Sequence, residues 1–143
     1  MPFTGPLEDR TLIRELYDSY ADAACRGAKA DWVACFTADA NWWTHYFDVT
    51  GHEAISAQYD QLMAAVTTTI FMTQLCSVEV AGNTARGRAV CSECLMMGAH
   101  GEMRLTGTYH DDLVRTAEGW RFARRVYKVM DEVMEAKAAP PAA

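Results

Sequence analysis

No phosphate-binding loop, dinucleotide fingerprint, zinc-ligand set or nucleophile elbow occurs in the 143 residues. Hydride transfer, phosphoryl transfer and metal hydrolysis therefore lack their recognisable equipment. Basic charge is also scarce: 13 Lys and Arg face 19 Asp and Glu, a net charge of −6. That argues against duplex nucleic acid and against an anionic membrane, since both need a basic face. Cysteines number five, Cys25, Cys35, Cys76, Cys91 and Cys94. An odd count with no secretory signal ahead of it predicts reduced thiols in a cytoplasm. Cys91 and Cys94 have CxxC spacing, but residues three apart in a strand face opposite sides, and no second doublet or histidine pair completes a zinc set. No metal and no cofactor are expected.

Half of the residues are hydrophobic, enough for one domain with one core, which we place at residues 1–135. Residues 136–143, small and proline-containing, read as a disordered tail. A short flexible start precedes a helix from Leu7 to Arg26, on which Leu12, Leu16, Tyr20 and Ala24 recur at helical spacing beside Ile13 and Tyr17. Gly27 ends it. A second helix spans about Ala30 to Phe36, broken by Thr37-Ala38-Asp39, and Asn41 to Phe47 has the composition of a strand. After Gly51 a third helix, Glu53 to Val66, turns Ile55, Tyr59, Leu62 and Met63 inward. Strands follow over 67–80 and 84–97 with a Gly82-Asn83 turn. Two more strands meet at Thr116 to Gly119, the last ending near Met130.

This order is an α+β layout with helices gathered on one face of a curved antiparallel sheet. The stretches LYDSYADA, DWVACFTADANW, the Gly51 helix start, VEVAGNTARGRA and GTYHDDLVRTAEGWRF together resemble the SnoaL-like group of the nuclear transport factor 2 superfamily. The resemblance implies a cone-shaped α+β barrel, its sheet wrapped around three N-terminal helices over an apolar pocket. It also implies cofactorless acid–base chemistry, as in hexachlorocyclohexane dehydrochlorinase and scytalone dehydratase, where an Asp on a helix pairs with a His on a strand. Those positions here are Cys25 and Phe71 or its neighbours, so the dyad is absent. The similar ketosteroid isomerase pattern puts its base on Thr44, which cannot serve, and its oxyanion-binding pair on Tyr20 and Asp111.

The residues themselves offer other bases. Asp111 shares a strand face with Met103, Leu105, Tyr109 and Leu113, where desolvation would raise its pKa. Glu93 shares a face with Ala85, Gly87, Ala89, Cys91 and Leu95, and two carboxylates in one dry pocket should split into an acid and a base. His45 is a third candidate, near neutral in its ordinary pKa but on the face opposite Thr44. The catalytic candidates are thus Tyr20, Asp111, Glu93 and His45, with Asp22 in reserve. Cys25, Trp42, Tyr46, Tyr59, Phe71, Tyr109, Trp120 and Arg124 are the candidates for substrate contact; Arg124 alternates with Phe122 and Val126, whereas Arg121 and Arg125 are read as solvated. Aromatics and the eight methionines suit a bulky aromatic or polycyclic molecule.

The expected function is a cofactor-independent lyase or isomerase of the dehydratase kind. A non-catalytic binder of hydrophobic ligands and a structural subunit like the small subunit of ring-hydroxylating dioxygenases are the alternatives. An outward patch of Trp43, Phe47, Val78 and Val114 predicts a homodimer.

Overall fold

A helix with one apolar stripe needs a surface to bury it against, and a long curved sheet supplies it. The computed structural model describes residues 2–137. The chain order is β1 Phe3–Thr4, α1 Leu7–Arg26, α2 Lys29–Ala34, β2 Phe36–Trp43, β3 Asp48–Thr50, α3 His52–Met63, β4 Thr68–Ala81, β5 Thr84–Met96, β6 Glu102–Thr116 and β7 Gly119–Glu135. The layout is the expected α+β one, with three helices and a curved sheet. Helix α1 buries Ile13, Leu16, Tyr17, Tyr20, Ala23 and Ala24, whereas Leu12, expected on that stripe, is exposed. Gly27 closes the helix in the left-handed region at φ 64°, where a side chain would be strained.

The seven strands lie in the order β1-β4-β5-β6-β7-β2-β3. Two pairings, β1 with β4 and β2 with β7, are parallel, so the sheet is mixed rather than antiparallel throughout. It is also open: β1 and β3 are edges, and the sheet curls without closing into a barrel. Residues 3–4, expected to be flexible, form β1, with Phe3 opposite Val78. Residues 37–39, expected to break the second helix, lie beyond its end at Ala34 and within β2, where the register against β7 is irregular. The strand expected over 41–47 instead ends at Trp43 and folds back through Thr44–Phe47 into β3. Thr44 holds that turn, its Oγ1 accepting the N–H of Tyr46 at 2.9 Å and of Phe47 at 3.3 Å. The last strand runs to Glu135, beyond the expected end, and most of the predicted tail, 138–143, lies outside the described residues.

Cross-strand register stacks the inner face in rows. From the mouth downward they read Thr69–Leu95–Met103–Met134, Phe71–Glu93–Leu105–Glu132, Thr73–Cys91–Gly107–Val129, Leu75–Ala89–Tyr109–Tyr127 and Val78–Gly87–Asp111–Arg125. Cys91 and Cys94 do fall on opposite faces, as their spacing required. Three residues, Cys76, Ala123 and Met130, are skipped in the pairing. Each such bulge exchanges the faces of everything that follows it on its strand. Among the described residues no helix is long and apolar enough to cross a membrane.

Candidate active site

Above the third row the inner face is not filled, and a cavity of about 340 Å³ opens between the sheet, α1 and α3. Its walls are aromatic. Tyr20 comes from α1, Trp32 from α2, Trp42 from β2, Tyr59 from α3, Phe71 from β4, Tyr109 from β6 and Tyr127 from β7. Leu95, Met97, Met103 and Leu105 line the side toward the mouth. Ring contacts at 5.1 to 6.2 Å join Tyr20 to Trp32, Phe36, Phe71, Phe122 and Tyr109. Edge-to-face geometry of this kind is worth about 0.5–1.5 kcal/mol per pair beyond burial and fixes the rings in place.

Two carboxylates interrupt the apolar wall, Glu93 within it and Glu132 at the mouth. Glu93, in the second row, lines the cavity and takes part in none of the described hydrogen bonds or ion pairs. Burial pushes it up to about 7, the range in which a carboxylate both holds and releases a proton at neutral pH. Below it, burial raises the hydroxyls of Tyr20, Tyr109 and Tyr127 above the ordinary phenol value, so all three are neutral donors. The cysteine thiols Cys35 and Cys91 are pushed up to about 11 by burial, and neither is a thiolate nucleophile.

Under the floor lies a group that the sequence did not reveal. Arg125 is 0% exposed, and its guanidinium carbon sits 3.7 Å from the Tyr109 ring centre, 4.0 Å from Phe122, 4.1 Å from Tyr20 and 5.2 Å from Tyr17. Its ion partner is Asp111 at 3.5 Å. None of its three nitrogens makes a hydrogen bond. Burial opposes the charge, but Asp111 and the surrounding phenols outweigh it and keep Arg125 protonated. The cation in turn draws Tyr20 and Tyr109 back toward acidity.

Asp111 therefore has a different place from the one expected. It lies in the row below the tyrosines, accepts the Tyr17 hydroxyl at 2.5 Å and faces Arg125 rather than the cavity. Burial pushes it up to about 6, with Arg125 and Tyr17 limiting the rise; its contacts make it the counter-group of Arg125 and not a donor beside Tyr20. Gly87 makes the arrangement possible, since a Cβ there would overlap the Tyr17 hydroxyl. Gly107 has the same role two rows higher: a Cβ would come within 2.5 Å of the Tyr127 ring.

The structure brings Tyr20, Glu93, Trp42, Tyr46, Tyr59, Phe71 and Tyr109 together around the cavity. Tyr46 stands at the mouth, exposed, and donates to Glu132. His45 is displaced: it lies in the β2–β3 turn, exposed and with its ring tilted against Tyr46, because the strand expected to reach Phe47 ends at Trp43. Cys25 does not line the cavity either. It packs its sulfur on the backbone of Phe71, accepting the N–H at 3.2 Å and facing the carbonyl at 3.5 Å. Trp120 is buried at the far end, donating to Asp9 at 3.2 Å beneath Arg115. Arg124 is exposed and Arg125 is inward, the reverse of the expectation, since the Ala123 bulge shifts the alternation by one. Tyr127 and Val129 enter the cavity by the same shift. Asp22 is exposed and paired to Arg26 at 2.7 Å. Among the described residues no three His, Cys, Asp or Glu side chains gather as a metal site.

Comparison with known proteins agrees with this geometry. A protein of Mycobacterium tuberculosis, Rv2910c, itself uncharacterized, is 30% identical over 129 residues, 84% of each chain. A scytalone dehydratase-like protein of Novosphingobium aromaticivorans has the same fold with a TM-score of 0.83 at 19% identity, over 93% of this chain and 91% of that one. A type 2 hexachlorocyclohexane dehydrochlorinase superposes with a TM-score of 0.81 at 17% identity, over 96% and 97%. Residues 5–126 match the description of one domain family, and with that match, the open curved sheet and the aromatic cavity, the chain belongs to the SnoaL-like domain family.

Proposed function

We propose that this protein is an acid–base lyase or isomerase that acts on a hydrophobic aromatic small molecule with its own side chains. The observation that carries this reading is Glu93: a carboxylate without a protein partner in the wall of an aromatic cavity, above phenols backed by a buried cation. Proteins of the same fold that are named for elimination reactions support it.

In this mechanism Glu93, as base, takes a proton from a carbon next to a carbonyl. The C–H electron pair forms a new C=C bond, the carbonyl π pair moves to oxygen, and the developing enolate accepts hydrogen bonds from the Tyr20 and Tyr109 hydroxyls. Arg125 stabilises that charge through the two rings without touching the substrate. Return of the proton at another carbon gives isomerisation; loss of a hydroxyl or halide from the β carbon gives elimination. A positioned base contributes about 10²- to 10⁴-fold and one oxyanion donor about 3 to 4 kcal/mol.

Proton abstraction can be read without knowing the natural substrate. Incubating 2-tetralone with the protein in D2O should wash deuterium into its acidic positions, followed by NMR, faster as pH rises through about 7. Calorimetric binding of 2-tetralone with no protein-dependent exchange would leave a ligand-binding protein instead.

We also propose a homodimer, but without Val78 and Phe47, two of the four residues expected to form its surface. Val78 is 0% exposed in the core, and Phe47 packs 4.6 Å from Trp42 in the cavity wall. The apolar side chains on the outer face are Ile70, Met72, Val90 and Val133. Light scattering should give twice 15.9 kDa, and Met72→Lys should shift it toward the monomer. With all five cysteines free, the same reading fits a reducing cytoplasm.

A further inference from the structure

Charge along the cavity runs in one direction. Among the described residues its lining holds two carboxylates, Glu93 and Glu132, and no Lys, Arg or His. Both stand in one cross-sheet row, on β5 and β7, with Leu105 of β6 between them. Neighbouring strands are about 4.8 Å apart, so a positive group over Leu105 would lie about 5 Å from either flanking strand. Tyr46 closes this end by donating to Glu132 from the β2–β3 turn. Its ring, with Trp42 and Tyr59, supplies π faces, which attract cations. At the opposite end the protein's own cation, Arg125, backs the phenols, and that end suits an electron-rich acceptor.

A further group states what the interior needs. The Trp42 indole N–H belongs to a lining residue more than nine-tenths buried, and among the described residues it has no hydrogen-bond partner. An indole N–H can only donate, so what enters must bring an acceptor. An anionic ligand would meet Glu93 and Glu132 with no counter-charge in the lining.

We propose that the pocket takes an aromatic amine in its protonated form, with its ring between the aromatic walls, an acceptor oxygen toward Tyr109 and Tyr127, and its nitrogen between Glu93 and Glu132. The assignment rests on the acid–base reading for the role of the floor and adds the class of substrate. Glu132 is the standing counter-ion, and Glu93 remains for the C–H that a neighbouring positive nitrogen acidifies.

Isothermal titration of the full chain at pH 7.5 with three probes of one shape tests it: 2-naphthylmethylammonium, 2-naphthylmethanol and 2-naphthoate. The ammonium should bind about tenfold tighter than the alcohol, and the carboxylate weaker than both. In Glu93→Gln/Glu132→Gln the ammonium preference should vanish while the alcohol binds as before. Naphthoate binding as tightly as the ammonium, or a preference that survives the double variant, would overturn the assignment. Deuterium exchange into 2-tetralone, run on the same samples, separates the two readings. Exchange without a cation preference removes the amine alone; a cation preference without exchange leaves the amine site standing and removes the acid–base reading.

Discussion

Glu93→Gln should abolish proton abstraction and, at the same time, stabilise the protein above neutral pH. Loss of a positioned base lowers the rate by about 10²- to 10⁴-fold. The stability effect follows from the same burial. Glu93 has its folded-state pKa raised from 4.5 to about 7, so the unfolded chain releases this proton first as pH rises. Below about pH 4.5 the group is protonated in both states and costs nothing. Between about 4.5 and 7 its contribution falls with pH, and above 7 the folded protein carries the whole penalty, at most about 3 kcal/mol. The cavity is open to solvent on one side, which reduces that figure. Glutamine cannot ionise, so the variant should show a smaller decline between pH 5 and pH 8 in urea denaturation. Parallel stability curves for the two proteins, or unchanged exchange into 2-tetralone, would remove Glu93 from the role given to it.

Arg125→Leu should be among the most destabilising single changes in the chain. It deletes a buried cation and leaves Asp111 without its counter-charge in the core. Breaking a buried pair from one side costs about 3–5 kcal/mol. Asp111→Asn should be costly for the mirror reason, leaving Arg125 unpaired among four rings. Removing both charges, as Arg125→Leu/Asp111→Leu, should recover most of the loss, because an apolar pair of similar volume is often no worse than a buried ion pair. A double-mutant cycle by urea denaturation measures the coupling. Additivity within about 0.5 kcal/mol would mean that the two groups do not depend on each other. Arg125→Lys keeps the charge but not the planar stack, and should hold the fold better than it holds the acidity of Tyr20 and Tyr109.

These two residues also mark where reading the chain succeeds and where it stops. Glu93 was legible as an inward carboxylate, because β5 is regular from Ala85 to Leu95 and strict alternation carries the face assignment along it. Arg125 was not. The residues around it, Phe122-Ala123-Arg124-Arg125-Val126, alternate equally well in either phase until the Ala123 bulge is known. That bulge lies where β7 pairs with both β6 and β2, and β2 is far away in sequence. His45 failed for a related reason: its neighbours are strand formers, but Thr44 caps a turn that only the β2–β3 pairing makes.

By itself, the sequence determined the local features: the stripe of α1 from Ile13 to Ala24, the Gly27 stop, the Gly82-Asn83 turn and the inward face of β5. Each depends on residues within a few positions of one another, where helical and strand periodicity and backbone preference act directly. Only the tertiary structure decided that Asp111 serves Arg125 instead of the cavity, that Tyr127 replaces Trp120 in its wall, and that Glu93 and Glu132 share one row. Those outcomes depend on register between strands and on the bulges that shift it, and a slip of one residue exchanges the two faces of a strand without altering its composition.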